Sequence, residues 1–318
     1  MNRSEALPWT NVYGVARTLI ALGTLLTLLL NDTDALFRPA GLTVGEAAGG
    51  STLVRFSLFA LVPVEYLGLA KWLAIGVLIG VISGWRPRIT GLLHWYVAFS
   101  FASTCFLIDG GEHVTAVLTL LLVPVTLTDS RKWHWSTAPP VSAESPLGRH
   151  LTRLMAVSSL LAIRLQVAVI YFHAGVGKMS VTEWANGTAV YYWFTDPGFG
   201  APAWLQPLII PALTNSVTVT ALTWGVILFE IGLAAALVMD RRWWPPLLKL
   251  GLLFHFGIIL VHGIVTFAIV MWAALILYLR PFEDGFRFAL PQSVQRYAAF
   301  LKVLPSYPRR SRSVERLA

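Results

Sequence analysis

The chain has 318 residues, 56% hydrophobic and only 13% charged, with a mean hydropathy of +0.66. Soluble domains carry about 25% charge, so a water-covered globule is excluded and lipid is the fitting solvent. The net charge of +8 does not mark a nucleic-acid binder, because the basic residues lie between apolar runs and in the tail (Arg309, Arg310, Arg312, Arg316) instead of on one compact domain.

A crossing helix needs roughly 20 mostly apolar residues. Eight such runs follow one another, near residues 12–30, 66–83, 91–108, 113–128, 155–178, 218–239, 246–262 and 264–279. The first has no small-residue cleavage site after it and reads as a retained span. Asp109-Gly110-Gly111-Glu112 joins the third run to the fourth, and His262-Gly263 the seventh to the eighth. Two long connections stand out. Residues 31–65 have room for a short interfacial helix. Residues 180–217 are rich in aromatics and proline, and the run Leu205–Leu213 is too short to cross, so 205–217 reads as interfacial or re-entrant, with a half-span as the alternative. Thirteen Trp and nine Tyr suit two membrane interfaces.

Lys and Arg collect on the cytoplasmic side of membrane proteins. Arg3, then Arg86 and Arg88, then Arg131, Lys132, Arg149 and Arg153, then Arg241, Arg242 and Lys249, then Arg280, Arg287 and the tail occupy alternate connections. The expectation is an all-α bundle of about eight spans in the cell membrane with both ends inside. Residues 1–285 form the membrane domain and 286–318 a basic cytoplasmic tail suited to anionic lipid.

Ionisable groups inside hydrocarbon cost a few kcal/mol each on insertion scales and need a reason. Arg164 and Glu230 lie at similar counted depths on consecutive spans, which suggests an ion pair clamping the bundle. Arg17 reads as a residue snorkelling to the inner interface. A second set is counted to the outer half: Glu112 and His113 opening span four, His173 and Lys178 closing span five, and His255 and His262 on one face of span seven. Lys178 is either an interfacial anchor or, in a partly dry pocket, an amine base with His113 as its orienting or relaying partner. Glu112, His173, His255 and His262 are then candidate pocket residues. One cysteine, Cys105, precludes an intrachain disulfide and a thiolate metal site, and the histidines have no metal-binding spacing.

Two stretches carry a resemblance. Pro8-Trp9-Thr10-Asn11-Val12-Tyr13-Gly14-Val15-Ala16-Arg17 resembles the opening of the SdpB family, membrane proteins of sporulation-delaying-protein-type antimicrobial peptide systems. The likeness in length and span number covers nearly the whole chain. The wider group is the HTTM domain, related to the membrane part of vitamin K-dependent gamma-carboxylase. Tyr171-Phe172-His173-Ala174-Gly175-Val176-Gly177-Lys178-Met179 is similar to a carboxylase motif, with Lys178 on the lysine proposed to deprotonate the vitamin K hydroquinone. Glu112-His113 and Phe254-His255-Phe256 resemble its Asn-His and Phe-His-Leu segments. The resemblance implies maturation, modification or export of a secreted peptide toxin, with the toxin precursor and other membrane proteins of the system as partners. A second implied reading is an intramembrane enzyme acting on a quinol or lipid-like substrate with a lysine base, and a third is a non-catalytic scaffold or immunity protein. Gly177 replaces the first lysine of the carboxylase pair, and no large extracytoplasmic region follows the eighth span. These departures imply a kept outer pocket more strongly than a kept reaction.

Overall fold

A computed structural model describes residues 7–38, 53–106, 109–136 and 145–286. Among these the protein is helical, with one isolated bridge, Trp85 to Trp133, and no strand. Each of the eight apolar runs is a helix: α1 (Asn11–Leu30), α2 (Leu67–Ile82), α3 (Pro87–Thr104), α4 (Gly111–Thr128), α5 (Pro146–Lys178), α6 (Ser216–Ala235), α7 (Trp244–His262) and α8 (Val265–Leu279). Six of them, α2 and α7 with their leading 3-10 turns, are long and apolar enough to cross a membrane; α3 and the shorter α8 are the other two. The protein is a multi-pass membrane protein. Its compact unit ends at Gly285. The tail from residue 287 lies outside the described residues.

Helix ends follow local chemistry. The Thr10 hydroxyl accepts from Val12 N and opens α1, Ser145 accepts from Gly148 N at α5, and Asn215 accepts from Thr218 N at α6. Gly263, at φ 70°, closes α7 in the left-handed conformation that lets the chain turn directly into α8.

α8 is the central element. It packs on α1, α4, α5 and α7, and Ala268–Leu279 is buried apart from the half-buried Trp272. A helix apolar all round belongs in such a place. α2 and α3 flank α1 and α4, and α6 flanks α5. The alternating strokes gather two ends. At one, Trp9 Nε1 donates to Thr128 Oγ1 (3.1 Å), Thr10 Oγ1 to Phe282 O, Arg86 N to Lys132 O (2.8 Å) and Arg241 to Glu283 (2.8 Å). This is the basic end. At the other, Lys71 Nζ donates to Asn31 O (2.6 Å), Phe106 N to Leu36 O, and the α4 start abuts Phe267 at the α8 start. Among the described residues the 31–65 connection contains the short α-helices Thr33–Phe37 and Leu58–Leu61, joined by stacking of Phe37 on Phe59 at 4.1 Å. Residues 205–217 contain the helix Gln206–Leu213, eight residues and about 12 Å long, which cannot cross.

In lipid, helix association rests on close packing and hydrogen bonds, because lipid tails are as apolar as the side chains. Small residues therefore sit at the contacts. A Cβ on Gly175 would meet Ile231 at 2.9 Å and Ile227 O at 3.3 Å, which sets α5 against α6. A Cβ on Gly91 would fall inside the Thr126 side chain, which sets α3 against α4. Gly91→Ala is accordingly expected to lower stability by about 1–3 kcal/mol through overpacking, read as a drop in thermal midpoint in detergent. Gly76→Ala, where a Cβ meets nothing within 4 Å, serves as the neutral control.

Candidate functional site

Tyr171, Gly175 and Lys178 lie four and three residues apart and so share one helical face. The motif is explained by what that face meets. Tyr171 OH is 2.9 Å from His255 Nε2 on α7, Gly175 admits α6, and Lys178 reaches Glu230 of α6. Lys178 Nζ lies 2.8 and 2.7 Å from the two Glu230 oxygens and 3.1 Å from Ala174 O, and stands 5.2 Å from the Trp184 ring centroid. The ammonium thus faces the carboxylate edge-on and has Ala174 O as a further acceptor.

The pair lines a cavity of about 500 Å³. Its other walls are Trp184, Trp193, Phe194 and Phe199 from the 179–215 connection, Leu222 and Val226 of α6, Phe254, Gly257, Ile258, Val261 and His262 of α7, and Ile264 and Phe267 at the start of α8. The aromatic connection is folded over the cavity by specific bonds. Val190 N donates to Thr223 Oγ1 (3.3 Å). Asp196 Oδ1 accepts from Gly198 N and Phe199 N, both at 2.8 Å, and these two N–H groups hold its carboxyl below the usual range. The turn so formed presents Phe199 O to His262 Nδ1 at 2.7 Å. A carbonyl only accepts, so Nδ1 carries the proton.

Several expectations are corrected. Glu230 pairs with Lys178, not with Arg164. The counted depths failed because the helix ends they start from are not level: Gly175, eleven residues beyond Arg164, is the α5 residue that packs on Ile227 and Ile231 of α6. Lys178 is about 21 Å along α5 from Arg164. Arg164 lies at the basic end, where its guanidinium stacks over Trp244 at 4.7 Å and donates to Arg280 O at 3.3 Å. His113 is exposed on the first turn of α4, and neither it nor Glu112 lines the cavity. Glu112 instead accepts from Asp109 N at 3.1 Å in the turn before α4. His173 is exposed on α5, and His255 is buried against Tyr171 rather than in the cavity wall. Lys178 and His262 are brought together around one cavity. Among the described residues no group of three or more His, Cys, Asp or Glu could hold a metal ion.

Arg17 does not snorkel. It is 1% exposed and belongs to a buried polar network at the basic end. Arg131 Nη2 and Nε bind the Asp129 carboxylate at 2.8 and 2.9 Å, and Tyr13 OH donates to the same carboxylate. Arg17 Nη2 donates to Thr90 Oγ1 (2.8 Å), and Nη1 lies 3.4 Å from His134 Nδ1. A guanidinium only donates, so Nδ1 is the bare nitrogen and Nε2–H faces Thr18 Oγ1 at 3.3 Å. The segment Trp9 to Arg17 is thus one packed surface against the α4 exit, and a Cβ on Gly14 would touch His134 at 3.0 Å. The Trp9–Arg17 phrase and Arg131, among the basic connections, had a sequence signal; their meeting at Asp129 did not.

Burial and the Arg17 and Arg131 charges push the His134 imidazole down to about 3. The unfolded ring takes a proton near 6.5 and the folded ring does not, so stability is full above pH 6.5 and falls as pH drops through the window to about 3. At pH 5 the loss is about 2 kcal/mol. His134→Gln, whose amide oxygen can still accept from Arg17, is expected to flatten the fall in thermal midpoint between pH 6.5 and 4.

No protein-family model and no solved structure matches the chain. Two proteins of Bacillus subtilis (strain 168) are similar to it. The uncharacterized protein YitO is 43% identical over 286 residues, 89% of this chain and 90% of that one. The sporulation-delaying protein SdpB is 39% identical over 279 residues, 87% of this chain and 84% of the relative. Identity of that level across nearly the full length of both chains shows that this chain belongs to the SdpB family.

Proposed function

We propose that the chain crosses the membrane eight times with both ends in the cytoplasm and serves the maturation of a secreted antimicrobial peptide toxin, acting at the aromatic cavity. The name of the relative SdpB ties that protein to delayed sporulation, and the resemblance in the first span extends the link to peptide toxin systems. The topology is supported by the gathering of Arg86, Arg131, Arg241 and Arg280 at one end. The observation that carries the reading is the Lys178–Glu230 pair in an apolar cavity. Charges placed among aromatic walls are costly unless they work or clamp.

Modification fits better than export. A cavity of about 500 Å³ is of small-molecule size, and a peptide threaded through it would leave backbone polar groups without partners at about 1–3 kcal/mol each. A second reading is favoured by Lys178 itself: an HTTM-like, carboxylase-like enzyme taking a quinol or lipid-like substrate. As an ammonium paired with Glu230, Lys178 can act as a base only after losing a proton, which the Glu230 carboxylate is placed to take. Glu230 thereby takes the partner role expected of His113.

The test is made in cells carrying the toxin system, with Lys178→Ala and Glu230→Gln introduced and protein levels matched. The expected result is a peptide that is secreted but inactive. Peptide trapped inside points to export, and active toxin from both variants removes the cavity from the function.

A further inference from the structure

We propose that residues 196–204 are a hinged lid over the cavity, and that the hydrogen bond from His262 to Phe199 O is the latch that holds it shut. As the regulated entrance to a working site the lid rests on the maturation reading; as a moving part it stands on its own geometry.

The segment is folded on itself. Asp196 Oδ1 accepts from Gly198 N and Phe199 N, Asp196 O accepts from Gly200 N (2.8 Å), and Phe194 O accepts from Ala201 N (2.8 Å). Gly200 is required there, because a Cβ would run into Asp196 O. The helices on either side, Ala189–Thr195 and Gln206–Leu213, are anchored. Val190 N bonds Thr223 of α6, and Val190, Leu213 and Val219 share a small buried cluster. Between these anchors, among the described residues, 196–204 makes one hydrogen bond to α6, α7 or α8: His262 Nδ1 to Phe199 O at 2.7 Å. A single bond of this kind biases an open–closed equilibrium by a factor of about five.

The cavity wall is divided to match. Phe199 is the residue of 196–204 that lines it, whereas Trp184, Trp193 and Phe194 stand on the anchored part. Swinging the lid outward removes one ring and leaves Lys178, Glu230 and the remaining wall in place. Phe199 is 61% exposed, so little packing opposes its departure. Toward the basic end the rings of Phe229 and Phe254 meet at 5.3 Å and close the space between α6 and α7. A shut lid keeps water from the charged pair, and an open one admits an occupant.

The test places a thiol inside. Gly257 lines the cavity and a Cβ there meets nothing within 4 Å, so Gly257→Cys is tolerated. The full chain in phospholipid nanodiscs is treated with a methanethiosulfonate bearing a quaternary ammonium, which reaches both membrane faces and does not dissolve in the lipid. The native thiol, Cys105, is buried and gives the background. Gly257→Cys is expected to label slowly, and Gly257→Cys/His262→Leu about fivefold faster, the population change from one lost hydrogen bond. His262→Asn places an amide N–H where Nδ1–H stood and is expected to label like the parent. Asp196 does not line the cavity, and Asp196→Ala, which undoes the turn that presents Phe199 O, is expected to speed labelling as well. Equal rates with and without the His262→Leu change, a His262→Asn variant as fast as His262→Leu, an Asp196→Ala variant no faster than the parent, no labelling in any variant, or a gain matched at Cys105 each overturns the proposal. No toxin is present in this assay, so its outcome is separate from that of the maturation test in cells.

Discussion

Asp129→Ala is expected to be the most damaging single change in the protein. Asp129 is fully buried, and around it lie Arg131 at 6% and Arg17 at 1% exposure. It is the carboxylate that binds Arg131 and takes the Tyr13 hydroxyl. Its removal leaves two buried guanidiniums without that counter-charge, and breaking a buried pair in this way costs about 3–5 kcal/mol. Against a total of about 5–15 kcal/mol, that is enough to lose most folded protein. Tyr13→Phe deletes one bond to the same carboxylate and is expected to cost about 2 kcal/mol. The check is the monodisperse fraction on size exclusion and the thermal midpoint, in the order wild type, Tyr13→Phe, Asp129→Ala.

The second large effect separates stability from chemistry at the cavity. Lys178→Met leaves the Glu230 carboxylate buried without its cation and is expected to destabilise by about 3–5 kcal/mol. Lys178→Met/Glu230→Met replaces the pair by apolar groups of similar length and is expected to return to within about 1 kcal/mol of wild type, since buried pairs exchanged for packed apolar residues are often neutral. If the pair works on a substrate, the double variant is stable and inactive in toxin maturation. A stable double variant that still yields active toxin would make the pair a clamp. Thermal midpoints and toxin activity, measured on the same four proteins of the double-mutant cycle, decide between these.

The helices were legible because apolar runs of membrane length are written directly in the sequence. The partners of their buried charges were not. Which residue of α5 faces Glu230 depends on how far one helix slides along the other. That slide is set by contacts such as Gly175 against Ile227 and Ile231, which no count from the ends of a run can supply. The same blindness misplaced Arg17, whose burial depends on His134 and Thr90, more than seventy residues away in the chain. His113 was misassigned for a related reason: its place in the first turn of α4 was read correctly, but the direction of its side chain was not. Lys178 was singled out by motif likeness. The aromatics of the 179–215 connection were noticed as a composition, and only the fold shows several of them as a wall.

The brevity of α8 has a consequence for how the cavity comes to exist. Fifteen residues reach about 22 Å, short of a hydrocarbon layer of roughly 30 Å. Tyr278 OH donates to Leu233 O and Ala234 O, which holds the finishing turn of α8 level with the finish of α6, so the missing length falls wholly at the opposite end. Ile264 and Phe267 mark where it is missing, and they form part of the hollow. The chamber is the vacant berth of about one and a half absent helical turns, at the end of a truncated central rod.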